Sequence, residues 1–376
     1  MTIRVALIGA GSGPSAWAWR AHIPAFKELT AEKYDIVGIL NSSLESSKTA
    51  IDYHGLTNSR PFQSIEEVIQ SHADIVIVSV KVPDHFRLAE QLVQAGKNTF
   101  VEWPLGNGFQ EAKKLTELAQ QQGVRTAVGL QSRNSASILK AKELIATDKL
   151  GTVISTSFVG YTPNWGPRTR VGAYPDYLGD VKNGANLLTI PGGHALDAIR
   201  FVLGKDYSTI SAKIINNFPK VEVIDTDGKP TGEFYNKSAP DQVLIIGTFA
   251  KNIPFSFHLI AGQGTELSRK LTWTIHGTLG DLLIEGPSGY TELNRLTLSF
   301  TSIEKPTENI DLTPEEYNPV VDNVKHLWQE YSKGHSGKQG FNFSGYPTFE
   351  DALELHKILD DVLRSSETGE SIRYDD

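Results

Sequence analysis

Between Asp74 and Gly106 the sequence sets a helix between two buried strands, and few folds accept that order. Asp74-Ile-Val-Ile-Val-Ser-Val80 is a continuous apolar run, the kind of strand buried on both faces of a parallel sheet. From Asp84 to Gly96 the apolar spacing (Phe86, Leu88, Leu92, Val93) predicts a helix that stops at a glycine. A second strand, Asn98 to Glu102, then breaks at Pro104. A charged residue at a strand's carboxyl end is where open α/β sheets place their ligands. Glu102 there is either a catalytic or orienting group, or a cap for the next helix.

The same alternation fills the first third of the chain. Arg4 to Ile8 predicts a buried strand, followed at once by Gly9-Ala-Gly-Ser-Gly13, a helix from Ala16 to Leu29 and a strand from Asp35 to Leu40. A glycine turn between strand and helix lets backbone N–H groups approach a pyrophosphate. Gly9, Gly11, Gly13 and Ser15 are therefore candidate cofactor contacts. The third glycine arrives early, with Pro14 after it, so a turn that merely closes the sheet is the other reading. Strand two ends in Leu40-Asn-Ser-Ser43 with no carboxylate before Glu45 and with Lys48 nearby. Asn41, Ser42 and Ser43 suit the 2′-phosphate of NADP better than the bare ribose of NAD, unless they only cap the next helix. Helices over Gln63–Ser71, Phe109–Gln122 and Ala136–Thr147 and a strand over Val124–Leu130 complete a doubly wound pattern.

Beyond Val153 the texture changes to alternating β-branched segments: 153–159, 209–215, 243–250, 255–260, 271–275, 281–285 and 295–300. They predict one large, predominantly antiparallel open sheet, with a helix over Gly193–Leu203 inserted early and helices over Pro319–Tyr331 and Thr348–Ser366 at the end. The fold class expected is a Rossmann-type α/β domain over 1–132 and an α+β domain over 133–376, whose last helix packs back toward the first. The Gly- and Ser-rich loop Lys333–Gly345 is the segment expected to move.

Composition limits the function classes. The 376 residues are 39% hydrophobic and 21% charged, with a net charge of −8, which argues against direct nucleic-acid binding. Absence of cysteine removes thiolate nucleophiles and sulfur-ligated metals, and the ten scattered histidines show no paired ligand spacing. No secretory leader and no apolar run of roughly 18 residues is present, so a cytoplasmic protein, or one shared with the nucleus, is expected.

Several strings, in order, resemble the glucose–fructose oxidoreductase, inositol dehydrogenase and MocA family. They are the glycine turn with His22-Ile-Pro24, Val82-Pro-Asp-His85, Ala95-Gly-Lys97, Gly193-His-Ala-Leu-Asp197, Ile275-His-Gly-Thr-Leu-Gly280 and Pro347-Thr-Phe-Glu-Asp351. The resemblance implies an NAD- or NADP-binding Rossmann domain and a sheet domain that closes over a sugar-like substrate. It also implies a homodimer or homotetramer formed through that sheet. It extends the cofactor set to Trp17, Val80, Val82, His85, Glu102, Trp103 and Gln131, with Glu102 orienting the nicotinamide ribose. The substrate cleft would take Trp103, Tyr161, Trp165 and Asn186, unless the Tyr161–Arg170 loop only packs on itself. Chemistry in the family is hydride transfer, assisted by the lysine of a Glu-Lys-Pro motif. This chain has Glu102-Trp103-Pro104, and Ile190 stands where an aspartate is usual. His194 remains, either as acid/base, helped by Tyr161, Tyr174 or Tyr177 and titrating near its ordinary value, or as a residue that only caps or packs the inserted helix. Trp103, the lengthened loop Ala16-Trp-Ala-Trp-Arg-Ala-His22 and Asn183-Gly-Ala-Asn-Leu-Leu-Thr189 resemble the galactose-regulon repressor branch of the family, which works by protein–protein contact. Two functions are compatible with these residues: an NADP-linked oxidoreductase of altered site, or a nucleotide-sensing regulator with a protein partner. Arg133 meets either a ligand anion or an intramolecular carboxylate.

Overall fold

The structure is a computed structural model that describes residues 2–29, 34–170, 175–204, 206–250, 252–262, 270–312, 314, 316–334 and 346–374. Tyr174 and residues 335–345 of the loop expected to move lie outside them. The chain forms two compact units: residues 1–131 with 320–356, and residues 132–319 with 357–376.

The first unit is built on β1 (Ile3–Ile8), β2 (Tyr34–Leu40), β3 (Arg60–Pro61), β4 (Ile75–Val78), β5 (Thr99–Val101) and β6 (Thr126–Val128). All five pairings are parallel and the order is β3-β2-β1-β4-β5-β6, the doubly wound dinucleotide-binding order. β4 lies inside the sheet and all four of its residues are buried, which is why its sequence is a continuous apolar run. The helix expected over Ala16–Leu29 is instead two, Trp17–Arg20 and His22–Glu28. Pro24 has no N–H to give the Arg20 carbonyl and its ring would collide there, so the second helix restarts just ahead of the proline.

The second domain expected over 133–376 is interrupted, because Val320–His356 belongs to the first unit. Helix Pro319–Ser332 buries Val321, Val324, Leu327, Trp328 and Tyr331 in the same core as Val5, Leu7, Ile23 and Phe100. Tyr34 donates its hydroxyl to the Trp328 carbonyl at 2.6 Å.

The second unit carries β7 (Val153–Thr162), β8 (Arg168–Arg170), β9 (Tyr207–Ile215), β10 (Lys220–Ile224), β11 (Pro230–Asn236), β12 (Gln242–Phe249), β13 (Ile253–Ala261), β14 (Leu271–Gly277), β15 (Gly280–Gly286), β16 (Thr297–Ser302), β17 (Lys305–Ile310) and β18 (Ile372–Arg373). Nine of them form one sheet, β17-β16-β15-β14-β7-β13-β12-β9-β18. Among the described residues only β7 with β13 is parallel within it, as its alternating sequence predicts. One face buries Phe158, Phe257, Trp273 and Ile284, with the Phe158 and Phe257 rings stacked at 4.9 Å. A small sheet, β11-β10-β8, lies apart from it.

Candidate nucleotide site

The turn after β1 is shaped by two of its three glycines. Gly9 has φ +94°, and a Cβ there would strike the Ser79 carbonyl oxygen; Gly11 has φ +66°, and a Cβ would come within 2.6 Å of Ala16. Both positions therefore demand glycine. Gly13 has open space around it, so the fold does not need it. Ser15 is exposed.

Asn41 is committed to the turn. Its Oδ1 accepts from the Gly11 N–H at 3.0 Å, and its Nδ2 donates to the carbonyls of Gly11 and Ser46, each at 3.0 Å. Ser43 caps helix Leu44–His54, its Oγ accepting from the Ser46 N–H at 3.1 Å in a reciprocal capping box. The capping reading thus holds for Ser43, while Asn41 latches the loop and Ser42 stays exposed. Three buried polar atoms lack a partner among the described residues: Trp17 Nε1 in helix Trp17–Arg20, Ser79 Oγ just after β4 and Gln131 Oε1 shortly after β6. Buried polar groups are rarely left so, and a polar ligand such as a dinucleotide fits these donors and acceptors.

At the end of β5 the acidic residue has a buried partner. Glu102 Oε1 lies 2.5 Å from His22 Nε2, and the Trp328 indole N–H donates to His22 Nδ1 at 3.0 Å. Because Nδ1 accepts, the neutral ring carries its proton on Nε2 and donates it to Glu102. His22 and Trp328 are both fully buried. Gly129 lets the carboxylate sit close, since a Cβ there would meet Glu102 Oε2. Glu102 is therefore held by a side chain and not by backbone alone.

Trp103 is buried against the ring of His356, centroids 4.7 Å apart. Burial pushes the His356 imidazole down to about 3, with His85 adding repulsion. His85 is also buried, between the carbonyls of Pro104 (Nδ1, 2.7 Å) and Val80 (Nε2, 3.1 Å), and desolvation lowers its pKa. It packs the crevice wall with buried Val82.

In the second unit, His194 stands in the first turn of helix Gly193–Leu203, all of whose residues are buried. The expectation that its imidazole titrates near the ordinary value does not hold: burial pushes it to about 3, so it is neutral at pH 7 and a poor proton donor there. Asn186 caps the π turn Leu188–Gly192 ahead of that helix, its Oδ1 accepting from the Leu188 and Thr189 N–H groups at 3.0 and 3.2 Å. Arg133 pairs inside the protein, two-pronged, with Asp197 at 2.7 and 2.5 Å. Tyr177 is half-buried and its carbonyl accepts from Asn183. Tyr161 and Trp165 do come together, lining a pocket of about 380 Å³. His22 carried a sequence signal only as part of His22-Ile-Pro24 and of the lengthened loop that ends on it, neither of which points to Glu102 or Trp328. His356 carried none, because its partner lies 253 positions earlier in the chain.

Residues 3–130 match the family model described as the oxidoreductase family with an NAD-binding Rossmann fold, and residues 136–286 match that of the Gal80p C-terminal domain. The galactose/lactose metabolism regulatory protein GAL80 of Saccharomyces cerevisiae is 30% identical over 98% of this chain and 94% of its own. The chain is a Gal80-like member of the Gfo/Idh/MocA oxidoreductase family. A crystal structure of a super-repressor mutant of Gal80p from the same yeast superposes with a TM-score of 0.93, at 30% identity, covering 100% of this chain and 99% of that one. Dehydrogenase aclE of Aspergillus oryzae is 31% identical over 99% of each chain. This Gal80-like chain therefore shares its whole length with a regulator and with a dehydrogenase.

Proposed function

We propose that this Gal80-like chain is a nucleotide-binding regulator that acts through a protein partner rather than by turnover. The observation that carries this reading is Trp103. The position after Glu102, where the resemblance places a proton-handling lysine, holds an indole buried against His356, and an indole N–H neither gives up nor accepts a proton near neutral pH. His194 and His356, kept neutral by burial, do not replace it. A regulator loses nothing by this, whereas hydride transfer at an alcohol loses its base.

In this reading the turn at Gly9, Gly11 and Gly13, with Ser15, Ser42, Val80, Val82 and Gln131 along the strand ends, holds the dinucleotide. Trp17 and Ser79 offer it their unpartnered polar atoms, and Glu102, fixed by His22, meets the nicotinamide ribose. NADP is favoured over NAD by the absence of a carboxylate after β2. The open face of the large sheet, where Ile246 is 61% exposed and Leu244 36%, is the surface by which a homodimer would form. A cytoplasmic protein with access to the nucleus fits such a role, and among the described residues no helix is long and apolar enough to cross a membrane.

A second reading, hydride transfer on a sugar or polyol, is favoured by the likeness to dehydrogenase aclE along 99% of each chain. One experiment separates the two. The protein is titrated with NADPH and NADH, and the nicotinamide absorbance is then followed against sugars, polyols and carbonyl compounds. Tight binding without turnover, followed by nucleotide-dependent capture of a partner, is expected. Substrate-dependent turnover would overturn the regulator.

A further inference from the structure

The large sheet protects its two ends in different ways. At one end β17 defends itself: it carries Lys305, Pro306 and Glu308 and is almost wholly exposed, a charged, proline-bearing strand that pairs poorly with another chain. At the other end β9 reads Tyr-Ser-Thr-Ile-Ser-Ala-Lys-Ile-Ile, with Lys213 its single charge and no proline. Such a strand is a template for further pairing. β12 takes one side of it, and residues 365–374 cover the other.

The cover meets β9 group by group. Ser366 Oγ accepts the Ile214 N–H at 2.8 Å, and Ser365 Oγ accepts the Ala212 N–H at 3.0 Å. β18 then pairs antiparallel, Ile372 opposite Ile210 and Arg373 opposite Thr209, and the Tyr374 N–H donates to the Ser208 carbonyl at 3.0 Å. All of these residues belong to the second unit.

A short hinge attaches β18 to the helix before it. Gly369, Glu370 and Ser371 alone separate helix Phe349–Thr368 from β18. Gly369 stands at φ +76° with open space around it, and the Ser365 hydroxyl donates to the Glu370 carbonyl at 2.6 Å, stapling the turn. A connection this short returns β18 to its own β9 only while Gly369 keeps the left-handed turn. With that residue extended, β18 points away from its own chain, and the edge it fits is the β9 of another molecule. Short hinges of this kind favour exchange of an element between copies.

We propose that residues 369–374 exchange between two copies of this chain, each β18 adding to the β9 of the other. The occupant is a second copy because its segment repeats, register for register, the contacts that β9 already accepts, so every bond lost within one chain is regained between two. This contact lies at the edge of the sheet, apart from the open face that carries Leu244 and Ile246. It does not rest on the regulator reading, since a regulator and an enzyme would exchange the segment alike.

The chain has no cysteine, so a placed disulfide can report the exchange. Thr209 and Arg373 are opposite each other, within the reach of a disulfide across an antiparallel pair. A full chain carrying both Thr209→Cys and Arg373→Cys should close on itself when oxidised at low concentration, which calibrates the pair. Chains carrying one substitution each, mixed at high concentration and oxidised, should give a covalent dimer whose linked peptides join 209 to 373. Gly369→Val supplies an independent measurement by light scattering over a concentration series. Valine resists the left-handed turn and suits an extended hinge, and each exchanged pair straightens two hinges. A species of twice the mass of the parent's main species should therefore form with an association constant about 100-fold above the parent's, about tenfold for each hinge. Absence of the 209–373 link between chains, when the doubly substituted chain closes, would overturn the proposal. So would a mass that Gly369→Val leaves unchanged at every concentration.

Discussion

Replacing His22 tests how the acidic residue at the end of β5 is held. His22→Leu keeps roughly the volume of the ring, so the packing cost against Phe26, Phe100 and Trp328 should stay below about 1.5 kcal/mol. It leaves the Trp328 indole N–H, in a fully buried residue, without an acceptor, at about 1–3 kcal/mol. It also takes a donor from the Glu102 carboxylate, whose side chain is 13% exposed, for a further loss of about 1.5–3 kcal/mol. Part of this returns as water reaches Glu102, so a net loss of about 3–5 kcal/mol is expected. Glu102→Gln is the control. Its amide oxygen still accepts from His22 Nε2–H, so it should cost less than about 1 kcal/mol. The assay is urea denaturation followed by tryptophan fluorescence, with NADPH affinity measured on each variant. His22→Leu should weaken NADPH binding because Glu102 loses its orientation. If His22→Leu stays within about 0.5 kcal/mol of the parent, or Glu102→Gln is as damaging, the assignment of His22 as the group that positions Glu102 is wrong.

Gly13→Val, at the glycine with open space around it, should leave the melting temperature unchanged and weaken NADPH about tenfold; unchanged affinity would remove Gly13 from the site. Trp103→Lys should cost about 3–5 kcal/mol in thermal or urea unfolding, since it deletes a buried indole and sets an ammonium near His356. It should not confer turnover on sugars, and robust turnover would show that only the lysine was missing. His194 and His356 are held at about 3 against an ordinary 6.5, so the unfolded chain takes up protons that the folded one refuses. Stability is full above pH 6.5 and falls with pH down toward 3. The loss at pH 5 is about 2 kcal/mol per histidine, and His194→Gln should flatten the acid limb of the unfolding profile. Glu292 runs the other way, its carboxyl raised by burial to about 8 from 4.5, so stability declines as pH rises between those values. Glu292→Gln should raise stability at pH 7 by up to about 3 kcal/mol, and no gain would refute the buried-acid assignment.

The elements with strong periodicity were legible from the sequence to the residue, as with helices Phe109–Gln122 and Gly193–Leu203. β4 was legible because it is buried on both faces. β11 and β17 were not: almost all of their residues are exposed, so no apolar alternation marks them and pairing with a neighbour makes them strands. The glycine turn was legible as a motif, but the latch of Asn41 on Gly11 spans 30 positions and depends on which atoms face each other after folding. The His22–Trp328 contact spans 306 positions and left no local trace. His194 was legible as a residue, but the burial that lowers its pKa was not, because no short string records it.

The return of Val320–His356 to the first unit bears on how the protein is made. Trp328, fully buried in that unit's core, lies in the last 49 of the 376 residues. On a ribosome the six-stranded sheet would emerge early and wait, one side of its core open, until synthesis was nearly finished. Such vectorial emergence exposes apolar surface for the whole of the delay, which makes the nascent chain a client for chaperones. A recombinant fragment ending near residue 131 would carry the same open core permanently, so a soluble nucleotide-binding half requires residues 320–356 fused behind the first 131.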